Sequence, residues 1–279
     1  MTRNICEVFL ECKRVFKRKG CVMRNNYLLL ASACVAVAMA NSANAQTYVG
    51  VSAGISAPHN SNNQGTFTSD VPATTAAPVY GAIPSGTPLG WKTSFDVGYN
   101  FAAQVGHRFD NGFRIEGEFA FTRANVRRHS GVTVGGTNID AIDASILTRG
   151  PTVGSTVGQV VDSGIGSQRG IAGFVNAYYD INTGSAFQPY VGGGIGIQET
   201  KFDYRPSNID VGQGKETNFA WQLMAGATYK IGPKFELFGQ YNYRDGGKTT
   251  LPLDLVPADL QARSRQSLVS VGFRIPLGK

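Results

Sequence analysis

The chain has 279 residues, with 26 Lys+Arg against 19 Asp+Glu, and four cysteines. Seven of the cations, two of the carboxylates and all four cysteines (Cys6, Cys12, Cys21, Cys34) precede residue 46, so the remainder carries 19 against 17, a formal +2. The high pI is therefore no argument for a nucleic-acid partner, and a cysteine-free remainder excludes a disulfide scaffold and a thiolate metal site.

Tyr27 to Ala40 is an uncharged apolar run, too short for a spanning helix of roughly 20 residues. Ala43-Asn44-Ala45 follows as a small-x-small cleavage signal, so residues 1–45 read as a secretory signal peptide cut between Ala45 and Gln46. Counted from Met23, with Arg24 as its positive end, the presequence has ordinary length; translation is expected to start there. Peptides from Met1 to Val22 in the unprocessed precursor would refute that. The 234 residues that follow suit one domain. They hold no run of helix-spanning length, so a membrane form must be a closed barrel, which satisfies every backbone group in lipid.

The first strand is predicted over Tyr48 to Ser56, with Val49, Val51, Ala53 and Ile55 on one face. A stretch rich in Ser, Asn, Thr, Pro and Gly, from Pro58 to about Lys92, reads as a loop. Strands two and three form a hairpin over Tyr99 to Arg123, turning at Asp110-Asn111-Gly112, residue types that accept positive φ at low cost. Phe113, Ile115, Gly117, Phe119 and Phe121 alternate with Arg114, Glu116, Glu118, Ala120 and Thr122. A second polar stretch, 127–166, holds at most a short helix over Thr137 to Leu147 or an added hairpin.

Strand four is predicted over Gln168 to Ile181, closed by the turn Asn182-Thr183-Gly184-Ser185. Strand five covers about Gln188 to Phe202 and stops before Pro206, which lacks the N–H a ladder needs. A third loop runs to about Glu216. Strand six covers Asn218 to Ile231, Gly232-Pro233-Lys234 turns, and strand seven covers Phe235 to Arg244. After a fourth loop, Asp245 to Ala262, the last strand covers Gln266 to Leu277.

Eight strands joined long, short, long, short, long, short, long suit a small all-β fold: an eight-stranded antiparallel transmembrane barrel with short periplasmic turns and long extracellular loops. Aromatics near strand ends (Phe109, Phe113, Tyr179, Trp221, Tyr229, Phe235, Tyr241, Tyr243) suit interfacial girdles. The competing reading is a soluble lipocalin-like barrel with the apolar face inside; the loop asymmetry and the export signal favour the membrane form.

FDVGYNFAAQVGHRFDNGFRIEGEFAF, VNAYYDI before PYVGGGIGI, FAWQLMAGATYKI and SVGFRIPL resemble the eight-stranded outer-membrane β-barrels of the opacity-protein and surface-antigen type, over nearly all of Gln46 to Lys279. The resemblance implies a Gram-negative outer-membrane location, contact with outer-membrane lipid and insertion by the barrel-assembly machinery. Ser270, Gly272, Ile275 and Leu277 resemble the C-terminal assembly signal, although the chain ends in Gly278-Lys279 instead of an aromatic and carries Pro276.

If the apolar face meets lipid, Arg108, Arg114, Glu116, Glu118, Lys230, Glu236, Arg244 and Arg274 point into a narrow lumen. Buried charges must pair there, and eight strands leave an interior just wide enough for side chains. A salt-bridged plug is expected, with a narrow pore as the alternative; inward Gly192, Gly194 and Gly196 make room for long side chains opposite or leave a water path. Gly192 to Gly196 has no helix after it, so it cannot cradle a phosphate. His59, His107, His129 and Ser130 are the candidates for lipid-modifying catalysis. A nucleophile needs a base within reach and a third group orienting it, but the adjacent strand residues His129 and Ser130 point to opposite faces and no fixed acid is evident; three scattered histidines make no transition-metal site. The expected function is a non-enzymatic surface protein without cofactor, meeting a host or environmental ligand through its loops. The alternatives are a narrow low-conductance porin and, more remotely, a lipid-modifying enzyme.

Overall fold

The computed structural model describes residues 46–208 and 211–277. The predicted signal peptide, with Ala45 and the Met23 start, lies outside the described residues. From Gln46 onward the chain is almost entirely antiparallel sheet. The strands are β1 (Gln46–Pro58), β2 (Ser61–Phe67), β3 (Pro88–Phe95), β4 (Gly98–Arg108), β5 (Phe113–Val134), β6 (Thr137–Asn138), β7 (Gly166–Asp180), β8 (Phe187–Tyr204), β9 (Gly212–Gly232), β10 (Phe235–Pro252) and β11 (Ala258–Pro276).

Eight of these close a ring in the order β1, β4, β5, β7, β8, β9, β10, β11, with β11 returning to β1. The turns at one end are short, as the sequence predicts. At the first, Gly112 has φ +84° and the Asn111 side chain accepts the Phe113 N–H at 3.1 Å. The register measures the stagger of the ring. Directly opposed residues run Arg123, Tyr99, Ile55, Val269, Tyr241, Ala225, Val191, Tyr179 and return to β5 at Phe113, ten residues below the start. Ten residues at ~3.3 Å over eight strands spaced ~4.8 Å tilt the strands by about 40°. Each residue then climbs about 2.5 Å along the axis, so Arg123 stands about 25 Å above Phe113, the height of an outer-membrane apolar band.

Within that band the predicted parity holds. Val49, Val51, Ile55, Phe101, Phe119, Val175, Ile195, Leu223, Leu237, Val271 and Phe273 are exposed on the outside, while Tyr48, Glu116, Tyr178, Gln222 and Phe238 are buried inside. A water-soluble barrel would show the opposite arrangement.

Above the band the expected long loops are largely strand. β5 runs on to Val134, β10 to Pro252, and β11 begins at Ala258. The stretch predicted as the first loop contains the β2–β3 hairpin, in which β2 pairs with β11 and β3 pairs with β5. β2 and β3 thus take the places of β1 and β4 in the wall above the membrane, while the β5–β7 pairing stops at Asn125 and Ser167 and the helical segment packs against β5 beyond it. The predicted second loop holds α1 (Ser145–Thr148) and α2 (Val157–Val161), so the expected helix over 137–147 shrinks to its last residues. β6 adds a two-residue hairpin on β5 without joining the ring. Strand chemistry is legible here in retrospect: Phe202 and Tyr204 share the inward parity of Gln198, and Leu251 and Leu260 are fully buried.

The inner face therefore changes character with height. At membrane level it is polar and charged. In the extension it is apolar, with Phe67, Leu89, Trp91, Phe95, Val126, Val132, Phe202, Tyr204, Leu251 and Leu260 packed as one core beneath α2. Gln168 and Gln198 both donate to Ser264 Oγ, at 2.8 and 3.1 Å, where the two regimes meet. The outer faces invert in step, from Ile195 and Ile197 to Glu199 and Lys201 on β8. A soluble-type apolar core stands on a membrane-type barrel, walled by continuations of its strands with β2 and β3 added.

Candidate functional site: the lumen and its external cap

β5 carries Arg114, Glu116 and Glu118 inward at alternate positions, and the register places partners on both flanks. Arg114 lies between Arg108 and Tyr178, Glu116 between Gly106 and Asn176, and Glu118 between Gln104 and Phe174. Gly106 is required: a Cβ there would sit 2.2 Å from the Tyr48 ring, which fills the lumen beside Glu116.

The charges stack in three tiers. At the periplasmic end Arg108 clamps Glu236 through two bonds, 2.8 and 3.0 Å, and reaches Asp180 at 3.1 Å. Arg114, fully buried, also binds Asp180, its Nη2 lying 3.1 Å from Oδ1. In the middle tier Glu116 accepts from the Tyr48 hydroxyl at 2.6 Å, the Tyr178 hydroxyl at 3.0 Å and Arg114 at 3.1 Å. Arg274 comes within 3.9 Å of the same carboxylate, donates to Thr228 at 3.0 Å and lies over the Phe238 ring at 3.8 Å. In the upper tier Glu118 accepts from Arg244 at 2.6 Å, Asn176 at 2.9 Å and Gln222 at 3.0 Å.

The lumen is electrically closed. Four arginines (108, 114, 244, 274) face four carboxylates (Glu116, Glu118, Asp180, Glu236). It is also sterically closed. Cβ atoms at Gly192 and Gly194 would meet the Tyr178 ring and Asn176 Oδ1, so the space over these inward glycines is filled from the neighbouring strand β7. The void beside Glu118, Asn242 and Arg244 measures about 10 Å³, room for about one water.

Seven of the eight predicted lumen charges take part. Lys230 does not: two residues from the end of β9 it is exposed at the open periplasmic rim, beside Arg108 and Asp180. Sequence reasoning missed Asp180 and the tyrosines Tyr48, Tyr178 and Tyr190. The available signal was parity along each strand: Tyr178 and Asp180 alternate with Asn176 on β7, Tyr48 with Gly50 on β1 and Tyr190 with Gly192 on β8. Ser270 and Gly272 of the predicted assembly signal face inward. Ser270 donates to Asn100 at 2.8 Å, and a Cβ on Gly272 would lie 2.6 Å from the Phe238 ring; Ile275 and Leu277 are exposed outside.

The histidines are scattered. His59 touches Ser267 Oγ at 3.1 Å on the outer surface. His107 has outward parity yet is buried, its ring 4.9 Å from that of Phe109 and Nδ1 3.2 Å from Thr47 Oγ1. His129 points inward because the β3–β5 register slips between Ser94 and Phe95, reversing the parity of β5 there. Its Nδ1 lies 2.8 Å from Thr93 Oγ1, while Nε2 has no hydrogen-bond partner, so no acid orients the ring. Burial lowers its pKa to about 4. His129, Trp91, Tyr204, Val161 and Leu253 line an apolar cavity of about 60 Å³ under the cap. The cap itself is held by a Thr156–Gln159 capping box on α2 and by Asp143, which accepts from the N–H groups of Ser145, Val153 and Gly154. Those bonds, led by Ser145, hold the Asp143 carboxyl at about 2.

The comparisons with known proteins agree with this geometry. The family model described as the outer membrane protein beta-barrel domain matches residues 27–274. Outer membrane protein PagN of Salmonella typhimurium is 32% identical over 84 residues, which cover 28% of this chain and 34% of PagN, about a third of that relative. Among solved structures, OprG from Pseudomonas aeruginosa aligns at TM-score 0.51 and 13% identity, over 84% of this chain and 97% of OprG; that likeness shows the fold alone. The Neisserial surface protein A aligns at TM-score 0.41 and 14% identity, over 83% of this chain and 98% of that one. A closed eight-strand ring, an apolar band of bilayer height and a family match across nearly the whole chain lead to one statement: the protein belongs to the outer-membrane β-barrel family and resides in the outer membrane of a Gram-negative cell.

Proposed function

We propose that this protein is a non-enzymatic, non-conducting surface barrel whose rigid external extension meets a ligand outside the cell. The observation that carries the reading is the double closure of the interior: a charge-balanced plug at membrane level and an apolar core above it. A conduit would leave continuous space along the axis. Here the void among the plug charges holds about one water; apolar cavities of about 60 and 120 Å³ lie above it in the extension, and a recess of about 400 Å³ opens below it at the periplasmic rim beside Arg108 and Lys230. The surface left for recognition is the cap, residues 135–165, with the outer faces of β2 and β3. The low-conductance pore is the weaker reading, since the inward glycines are occupied by Tyr178 and Asn176. Lipid modification lacks an assembled site: the His129 ring has a hydroxyl on one side and no acid on the other.

The test replaces residues 139–164 by a short Gly/Ser linker in cells that display the protein. Binding of the cells to host-cell or matrix surfaces is expected to fall, with heat-dependent gel mobility showing an intact barrel. Unchanged binding would remove the cap from the account, and altered outer-membrane lipids in a deletion strain would revive the enzyme.

A further inference from the structure

The outer face of the barrel carries a row of cations set by register. Arg123 on β5 lies directly opposite Arg169 on β7, Arg169 opposite Lys201 on β8, and Lys201 opposite Lys215 on β9. All four side chains point outward; Arg123 is half-buried and the other three are exposed. Like charges directly opposed on neighbouring strands repel, and the chain does little to relieve this. Glu199 takes Lys215 at 3.1 Å. Arg123, Arg169 and Lys201 make no ion pair or hydrogen bond among the described residues. Elsewhere at this level the chain supplies its own anions: Asp245 binds both Arg263, at 2.6 Å, and Arg265, at 3.1 Å, and Asp96 binds Arg127 at 2.8 Å.

The row has a defined height. The outward residue before Arg123 on its strand is Phe121, the one below Arg169 is Ile171, and Ile197 and Phe219 sit two outward positions below Lys201 and Lys215. With the tilt derived above, Arg123 stands about 25 Å above the lower rim, and each strand step from β5 toward β9 climbs about 3 Å. The four cations thus occupy the ~10 Å immediately above the apolar band. Long basic side chains at that level lay their stems along apolar surface and bring their charges to the headgroups.

We infer that the row Arg123–Arg169–Lys201–Lys215 is a binding site for the phosphate groups of anionic lipids in the outer leaflet. Height favours lipid over a soluble sulfated glycan, because the site begins where the acyl-contacting residues end. The inference rests on the outer-membrane placement and is independent of what the cap binds.

Trp221 provides the readout. It is half-buried on the outer face of β9, below Lys215, and Trp91, the other of the two tryptophans, is buried inside the extension. The mature chain with W91F, checked by heat-dependent gel mobility, is refolded into vesicles of brominated phosphatidylcholine. Diphosphoryl lipid A is then titrated in, against a neutral glycolipid with similar chains. The phosphorylated lipid is expected to relieve Trp221 quenching with a roughly fivefold or higher preference, at least the scale of one interfacial cation. R123Q/R169Q/K201Q should bring that preference to about one, and R169Q alone should roughly halve it if the triple variant fails to fold. Equal affinities in the parent, an unchanged preference in the folded triple variant, or displacement by millimolar inorganic phosphate would overturn the inference. So would a flat lipid preference combined with row-dependent binding of a soluble sulfated oligosaccharide.

Discussion

Removing Glu118 should strand a buried cation. Arg244 is 2% exposed, its Nη2 lies 2.6 Å from Glu118 Oε1, and no other carboxylate comes within ion-pair distance of it among the described residues. Its remaining polar partner is Gln222 Oε1, at 3.0 Å from Nε and 2.8 Å from Nη2, and one face rests on the Phe174 ring at 4.6 Å. Glu118→Gln keeps the shape and loses the charge, leaving the lumen with four arginines against three carboxylates. Breaking one side of a buried pair costs about 3–5 kcal/mol, chiefly for the uncompensated ion. Arg244→Met in the same background removes that ion, so the double variant should recover most of the loss and sit within about 1–2 kcal/mol of the parent. The assay is urea unfolding in phosphatidylcholine vesicles, followed by tryptophan emission and gel mobility. If Glu118→Gln costs under about 1 kcal/mol, or if the two single losses simply add, the pair is solvated and the plug does not exist as described.

Other parts of the account are open to simpler tests. Gly192→Ala would place a methyl 2.4 Å from the Tyr178 ring; overpacking of that kind should lower stability by about 1–3 kcal/mol, whereas Gly239→Ala, with nothing near its Cβ, should be close to neutral. His129 titrates near 4 when folded, against an ordinary 6.5, because burial opposes its charge. The unfolded extension therefore binds a proton first as pH falls. Its stability should drop by about 3 kcal/mol between pH 6.5 and pH 4 and level off below, read as faster hydrogen exchange across β2 and β3; no pH dependence, or the same dependence in His129→Gln, would refute the assignment. Thr156→Ala breaks the capping box of α2 and should cost about 1 kcal/mol locally, seen as increased exchange over 157–161 with the membrane-level strands unchanged.

The membrane barrel was legible because a two-residue period between tight turns has one meaning when export is also signalled. Phe113 to Phe121 and Val269 to Leu277 fix the faces, and the faces fix which charges meet. The extension was hidden by the same logic. Above Arg123 the alternation inverts, apolar residues turning inward as on Phe202 and Tyr204, and polar residues outward as on Glu199 and Lys201. A search for lipid-facing apolar positions therefore reads those segments as loop. β2 is the extreme case: Ser61, Asn63 and Gly65 face inward, and its strand character comes from pairing with β3 and β11 instead of from propensity. Parity counting alone also misplaces His129, because the register slip near Phe95 is not written in composition. Lys230 had the right parity and the wrong height, and height follows from the stagger of the whole ring, a property of eight pairings at once.

The closed interior is the centre of the account, and electrical recording reaches it most directly. Residues 46–279, refolded and shown to be heat-modifiable, should be silent in a planar bilayer at neutral pH. Glu116→Gln and Arg274→Gln should be silent too or open only in brief, irregular events, since Tyr48, Tyr178 and Phe238 still fill the section. Steady discrete openings from the parent protein, altered by either substitution, would show a charge-lined pore where the structure places a plug.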